Sequence, residues 1–437
     1  MNATWKGLRR LHPAIGGLAL AALLLCSGGA WAQPAAAMPQ RQGESVLSGP
    51  FSIDELVALA RRESFLLQAA QAQALAARAG VVTARAYPNP ELELLAGSFR
   101  PRAAGGTSGS GSALAISQRI ENPRLRDARS AVAGAAVQSA EINVSVVENN
   151  LVALIKERFF ETLRREEERD VSREELALTE QIRERIAVRT RTGEGARFDL
   201  IRADNEVAIA SKNLELALGR VAEARALLKQ LVSPRLADNF TLAGDFYRST
   251  PQADYAALRD AVLSSNPELR RALAETARAE RGVEVERQSV LPSLALRLMQ
   301  DTEPDMRSTR AGVAVNVPLW DRRRGPIDEA RANVIRNRSE AEQKRFALAQ
   351  DFEAVWRRYQ AALTAVQALE GGIIRQARQV VDIAEAAFRF GERGILEYLD
   401  ARRQFRLVRA DLIQARFDLY AAKTELERLA ARDIKGE

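Results

Sequence analysis

Two short stretches of this chain answer one another across half its length. Residues 191–203, which contain Gly193-Glu194-Gly195, and residues 390–401, which contain Gly391-Glu392-Arg393-Gly394, overlay at an offset of about 198 residues. The overlay matches Gly193 with Gly391, Glu194 with Glu392, Phe198 with Leu396, Asp199 with Glu397 and Ala203 with Ala401. Each stretch interrupts a long run of helical periodicity. The chain therefore reads as a duplicated unit, two halves each built on a helical hairpin with a glycine-containing tip.

The first residues carry an export signal. Lys6, Arg9 and Arg10 precede an apolar run from Ile15 to Cys26, and Ala30-Trp31-Ala32 supplies the small residues of a cleavage point. Residues 1–32 are expected to leave, with cleavage after Ala32. The bulky Leu25 argues against lipidation of Cys26. The apolar run is about 12 residues, short of the roughly 18 that a spanning helix needs.

Cleavage has a chemical consequence, because His12 and Cys26 are the only histidine and cysteine. A mature chain without either cannot form a disulfide, a cysteine or serine–histidine nucleophile, or an imidazole or thiolate metal site. No carboxylate pair sits in an apolar surround that would suit acid–base work. The sequence thus points away from an enzyme and from a bound cofactor or metal. The formal charge falls from +7 to +4 without residues 1–32, and basic residues alternate with acids along helical faces. No nucleic-acid partner is indicated.

Residues 33–50, rich in Ala, Pro, Gln and Gly, read as a flexible leader. The first repeat is placed at 51–235. Ser52 and Glu55 form a capping-box pattern that opens a helix expected to run to about Ala86, where Tyr87-Pro88-Asn89-Pro90 stops it. The period then changes to two. Leu92, Leu94 and Ala96 lie opposite Glu93 and Gly97, and Leu114, Ile116 and Ile120 lie opposite Ala115, Ser117 and Arg119, giving a strand hairpin at 91–120 around a Gly/Ser-rich loop from Pro101 to Gly111. A helix of roughly 65 residues follows, with Val144, Val147, Leu151 and Leu154 at coiled-coil spacing. The tip at 191–197 and a shorter helix complete the repeat.

Residues 236–253 read as a linker, and the second repeat at 254–433 follows the same plan: a helix broken at Asn266-Pro267, a strand hairpin at 293–318, a long helix, a tip at 390–396 and a shorter helix. In its long helix Val366, Leu369, Ile373, Gln376, Val380, Ile383 and Ala387 hold a heptad spacing. The strands are about nine residues each, the length a tilted strand needs to cross a bilayer. Four strands cannot close a barrel, since the smallest hold about eight, so a barrel must be shared among identical chains. The expected fold class is mainly α with a β-barrel part: two tandem repeats, long coiled-coil helices forming an α-barrel, and four transmembrane strands per chain.

This order and spacing of elements resembles the TolC family of outer-membrane efflux ducts from about Ser52 to Ala431. Pro88-Asn89-Pro90-Glu91-Leu92 and Val317-Pro318-Leu319-Trp320-Asp321-Arg322-Arg323 are similar to the CzcC-type heavy-metal efflux branch. The resemblance implies a homotrimer in the outer membrane of a Gram-negative bacterium with a periplasmic tunnel. It also implies a periplasmic adaptor, an inner-membrane pump of the RND type and contact with outer-membrane lipid. Cargo would pass passively, heavy-metal cations by the branch; a drug-efflux or type I secretion duct shares the fold, and a periplasmic coiled-coil scaffold is the rival of a different class.

For site residues, the resemblance implies a gate of carboxylates at Glu397 and Asp400, with Arg393 helping to hold it shut; Glu397 stands where the family has Asp. Read from the residues alone, both are solvated carboxylates and Arg393 pairs with Glu397 one turn later. Gly193, Gly195, Gly391 and Gly394 permit tight turns, and the resemblance makes these tips the adaptor contact. Trp320 and Tyr87 suit an aromatic belt or packing at the barrel-to-tunnel joint. Arg322, Arg323 and Arg324 suit lipid headgroups, an anionic partner or plain solvation.

Overall fold

The structure is a computed structural model that describes residues 46–100, 102, 105–193, 196–247, 253–390 and 392–434. The expected signal peptide, Cys26 and nearly all of the leader lie outside the described residues, as do Glu194, Gly195 and Gly391. A short strand β1 (Pro50–Phe51) leads into helices α1 (Ile53–Glu63) and α2 (Phe65–Arg85), strands β2 (Glu91–Phe99) and β3 (Gly109–Ile120), then α3 (Pro123–Arg191) and α4 (Arg197–Val232). The second half runs β4 (Thr241–Leu242), α5 (Tyr255–Ser265), α6 (Pro267–Gln288), β5 (Ser293–Thr302), β6 (Arg307–Asn316), α7 (Arg324–Ala368), a π-helical turn (Leu369–Ile373), α8 (Ile374–Arg389) and α9 (Ile395–Ala430).

Local chemistry sets most of these boundaries. The Ser52 hydroxyl accepts from the Glu55 N–H at 3.3 Å while the Glu55 carboxylate accepts from the Ser52 N–H at 2.8 Å, so two otherwise unpaired helix-end donors are satisfied. Asn122 and Asn266 each cap a helix whose first residue is proline, which lacks the N–H that would go unpaired there. The 69 residues of α3 contain no later proline and span about 100 Å.

The helices lie side by side in a layer. α3 packs against α2 towards the strands and against α4 towards the tip; on its other side it meets α6 and then α9, and α7 with α8 runs along the outside of these two. The two short helices of each half thus match one long helix in rise. Two hydrophobic clusters sit at mid-length. One joins Leu56, Ile155, Phe159, Leu228 and Phe240, and the other joins Val262, Phe352, Tyr359, Leu426 and Leu429.

At the far end β2, β3, β5 and β6 form one antiparallel sheet in that order. Leu92 pairs with Ile116 and Ile116 with Leu298, while Leu294 lies between Ile120 and Val315, so these apolar residues share one face. The opposite face carries the charges Glu91, Glu93, Arg297 and Arg310 beside Leu95, Phe99 and Met299. There Arg297 reaches Glu93 at 3.0 Å across the small Ala115 of the intervening strand.

The fold departs from the sequence reading in several places. The first helix breaks at Ser64, whose ψ of 122° is extended. The cause is tertiary: Glu63 accepts from the Ser233 hydroxyl and from Arg235 at 2.8 Å, tying the end of α1 to the segment after α4. Ser64 thereby becomes the counterpart of Asn266. The segment read as a linker is built into the core, with Leu236, Phe240 and Phe246 buried and β4 paired in parallel with β1. Leu47, at the end of the expected leader, is likewise held by the Ala237 N–H at 2.8 Å. Strand β3 starts at Gly109, inside the expected loop, because β2 supplies partners as far as Phe99 and the bare Gly111 leaves room for the Phe99 ring. The long second helix is interrupted by the π-helical turn at Leu369–Ile373, where Gly371 and Gly372 offer no side chain to hold regular winding. Its heptad stripe is buried only at its start: Val366 lies in the core, but Ile373, Val380 and Ile383 are exposed, and α8 buries Val381 instead.

Candidate channel gate and tip surfaces

The tips are assembled from both halves of the chain. α3 ends at Arg191, and Gly193 with φ of +83° lets the backbone reverse into α4, a conformation that an L side chain adopts at a cost. Gly394 differs. It is the N-cap of α9 with φ of −76°, so the turn there does not require glycine. Ile182 and Ile186 of α3, Ala203 of α4, Val381 of α8 and Ile395, Tyr398 and Ala401 of α9 form one buried cluster. Arg402 of α9 donates to Glu175 of α3 at 2.8 Å, and Arg409 to Glu174 at 2.5 Å. The two tips are therefore held as one body through α3 and α9.

The spacing of Ile395, Tyr398 and Ala401 along α9 decides where the candidate gate residues go. These three face inward, so Glu397 and Asp400 fall on the opposite, exposed side of the first turns. Arg393 donates to Glu397 at 2.5 Å, and Arg403 donates to Asp400 at 2.9 Å. The hydrogen bond and charge of Glu397 hold the Arg393 guanidinium above its ordinary range. Glu397 also stands in the first turn of α9, where the helix dipole favours an anion. The side chains of Arg393 and Glu397 remain 65% and 53% exposed, so this pair is reachable from solvent. Both the solvated reading of these carboxylates and the gate reading are compatible with this geometry.

No group of three or more His, Cys, Asp or Glu residues that could hold a metal ion occurs among the described residues. No described helix is long and apolar enough to cross a membrane. At the strand-to-helix joints Tyr87 lies under the Arg126 guanidinium at 4.3 Å, whereas Trp320 is 93% exposed.

Two exposed apolar stripes flank the tips. Phe198 and Ile201 of α4 are exposed on one edge of the layer, and Val380, Ile383 and Phe390 lie exposed along the other edge. The periodicity of the second stripe was visible; what covers it was not, because α8 lies at the border of the chain's own packing.

The chain thus joins a four-stranded sheet with an apolar face to a layer of helices built from two tandem repeats. Residues 258–432 match the family model described as outer membrane efflux protein. The cobalt-zinc-cadmium resistance protein CzcC of Cupriavidus metallidurans is 25% identical over 390 residues, which cover 88% of this chain and 91% of that protein. Among solved structures, CusC is similar with a TM-score of 0.73 at 15% identity, covering 90% of this chain and 95% of its own. The outer membrane protein VceC of Vibrio cholerae follows with a TM-score of 0.71 at 15% identity, covering 88% and 97%. By fold this chain is similar to the solved outer-membrane channels, and its second half resembles the outer membrane efflux protein family.

Proposed function

We propose that this chain is the outer-membrane duct of a tripartite efflux system for heavy-metal cations. The observation that carries the cargo is the similarity to a cobalt-zinc-cadmium resistance protein along nearly the whole of both chains. The open sheet calls for an oligomer, and the resemblance to the efflux ducts makes it a homotrimer. β2 and β6 each have one unpaired edge, and four strands are too few to close a barrel. Three copies joined edge to edge would supply twelve strands, with the apolar face towards lipid and the face bearing Glu93 and Arg297 towards the lumen.

The same closure gives the exposed stripes of the tip a partner. Val380 and Ile383 of one copy would pack against Phe198 and Ile201 of the next, a head-to-tail contact that closes into a ring. Three copies of Glu397 and Asp400 would then encircle the tunnel's inner end, attracting cations and repelling anions. The tips at Gly193, Gly195, Gly391 and Gly394 would dock the periplasmic adaptor, which links the duct to an inner-membrane pump of the RND type. Energy for transport comes from the pump.

The test is deletion of the gene followed by growth on graded zinc, cobalt, cadmium and copper beside lipophilic drugs and detergents. Sensitivity to metals alone, restored by the wild-type gene, is expected. Sensitivity to drugs or detergents without metals would replace the cargo and leave the duct.

A further inference from the structure

The basic triplet Arg322-Arg323-Arg324 is divided by its own turn. Arg323 takes a left-handed conformation, with φ of +51°. Its N–H donates to the Asp321 carboxylate at 2.8 Å, and its guanidinium turns back onto Glu286 of α6 at 2.5 Å. Arg322 and Arg324 are left outside, exposed and without a hydrogen bond or ion pair among the described residues. Three of the nearby acids are engaged with other partners: Asp321 and Glu286 with Arg323, and Asp328 with Arg331 at 2.9 Å.

This pair of uncompensated cations adjoins an apolar run. Val313 and Val315 lie on the apolar face of β6, and beyond the strand Val317, Leu319 and Trp320 continue exposed to the start of α7. Trp320, at 93% exposure, has its whole indole in the open. Elsewhere Tyr87, though 68% exposed, stacks against the Arg126 guanidinium, and Glu121 after β3 is paired with Arg129 at 2.5 Å. The exposed aromatic and free cations thus occur together at the β6–α7 joint.

We infer that Trp320, Arg322 and Arg324 form a docking site for anionic phospholipid headgroups at the helix-side border of the sheet. The inference rests on the outer-membrane reading above. An indole at the edge of a hydrocarbon layer keeps its ring in the apolar region and its N–H in the headgroups. Two guanidiniums two and four residues further along the chain would meet the phosphates, where each offers paired donors to phosphate oxygens. The apolar run fixes the depth of the joint, and the arginines choose the lipid. Arg323 has a different task, because its contact with Glu286 holds the turn that presents its neighbours.

The test uses the full chain reconstituted in phosphatidylcholine vesicles containing a minor fraction of brominated phosphatidylglycerol or, in parallel, brominated phosphatidylcholine. The signal is the tryptophan quenching lost in Trp320→Phe. Brominated phosphatidylglycerol should quench Trp320 more strongly, with local enrichment on the order of tenfold for two basic groups near the surface. Raised salt should weaken the preference. Arg322→Gln with Arg324→Gln should make the two lipids equivalent while leaving quenching by phosphatidylcholine unchanged.

Equal quenching by both lipids in the wild type would overturn the headgroup site and leave the membrane reading intact. Absence of quenching by either lipid, in a chain that still fractionates with the outer membrane, would overturn the placement of Trp320. A chain absent from the outer-membrane fraction would instead defeat the duct reading itself.

Discussion

Arg393 and Glu397 are joined at 2.5 Å across one turn at the start of α9, and Asp400 is held in the same way by Arg403 at 2.9 Å. Each candidate gate carboxylate therefore carries its own intrahelical cation. Because all four side chains are more than half exposed, these contacts add little to stability. Their removal should be read in conduction. In planar bilayers, Glu397→Gln with Asp400→Asn is expected to lower the cation preference of the channel severalfold, measured as a shift in reversal potential under a salt gradient. An unchanged reversal potential would return both residues to the role of solvated surface carboxylates.

The edge stripes predict which side chains meet between copies. With Cys26 the only natural cysteine, introduced pairs can be read without background from the folded region. Ile201→Cys combined with Ile383→Cys, or Phe198→Cys with Val380→Cys, should give oxidant-dependent dimer and trimer bands in non-reducing gels. Either single cysteine should give no trimer band, since a head-to-tail contact needs both partners.

Phe240 is fully buried in the segment that the sequence offered as a linker. Phe240→Ala should destabilise the fold by about 3–5 kcal/mol, the cost of a large core truncation. Thermal unfolding followed by circular dichroism measures it. A neighbouring exposed change such as Asp238→Ala, which loses only the surface pair with Lys229, provides the control.

Glu268 anchors the start of α6 to two other helices, through Lys344 at 2.5 Å and Arg428 at 3.0 Å. Burial pushes its carboxyl up, but the hydrogen bond and charge of Lys344, with Arg428, outweigh this and hold it below its ordinary value of 4.5. A carboxylate with a lowered folded pKa contributes stability that is present above 4.5 and is lost as pH falls through the folded value. The wild type should therefore exceed Glu268→Gln in melting temperature at pH 7, and the gap should close below about pH 4.5. A gap that stays constant on acidification would show that the contact stabilises by packing alone.

The duplication, the strand hairpins and the tips were legible in the sequence because each depends on neighbours along the chain. Alternation of period two needs only a strand with one apolar face, and Asn122-Pro123 and Asn266-Pro267 set their helix starts by local capping. The exposed positions of Glu397 and Asp400 also follow from local periodicity, given that Ile395, Tyr398 and Ala401 face inward.

What the sequence could not supply came from contacts between distant segments. Ser64 breaks a helix of good local propensity because Glu63 is claimed by Ser233 and Arg235, some 170 residues away. The heptad stripe of Ile373, Val380 and Ile383 promised a buried seam, yet burial depends on which helix lies alongside, and α9 takes the adjacent face through Val381. The triplet at Arg322 to Arg324 is uniform as sequence; Glu286 draws the middle arginine inward and leaves the outer two to solvent. Local periodicity thus determined the elements and their faces, while the tertiary structure decided which of those faces and charges find partners within one chain, because that depends on what the fold brings alongside them.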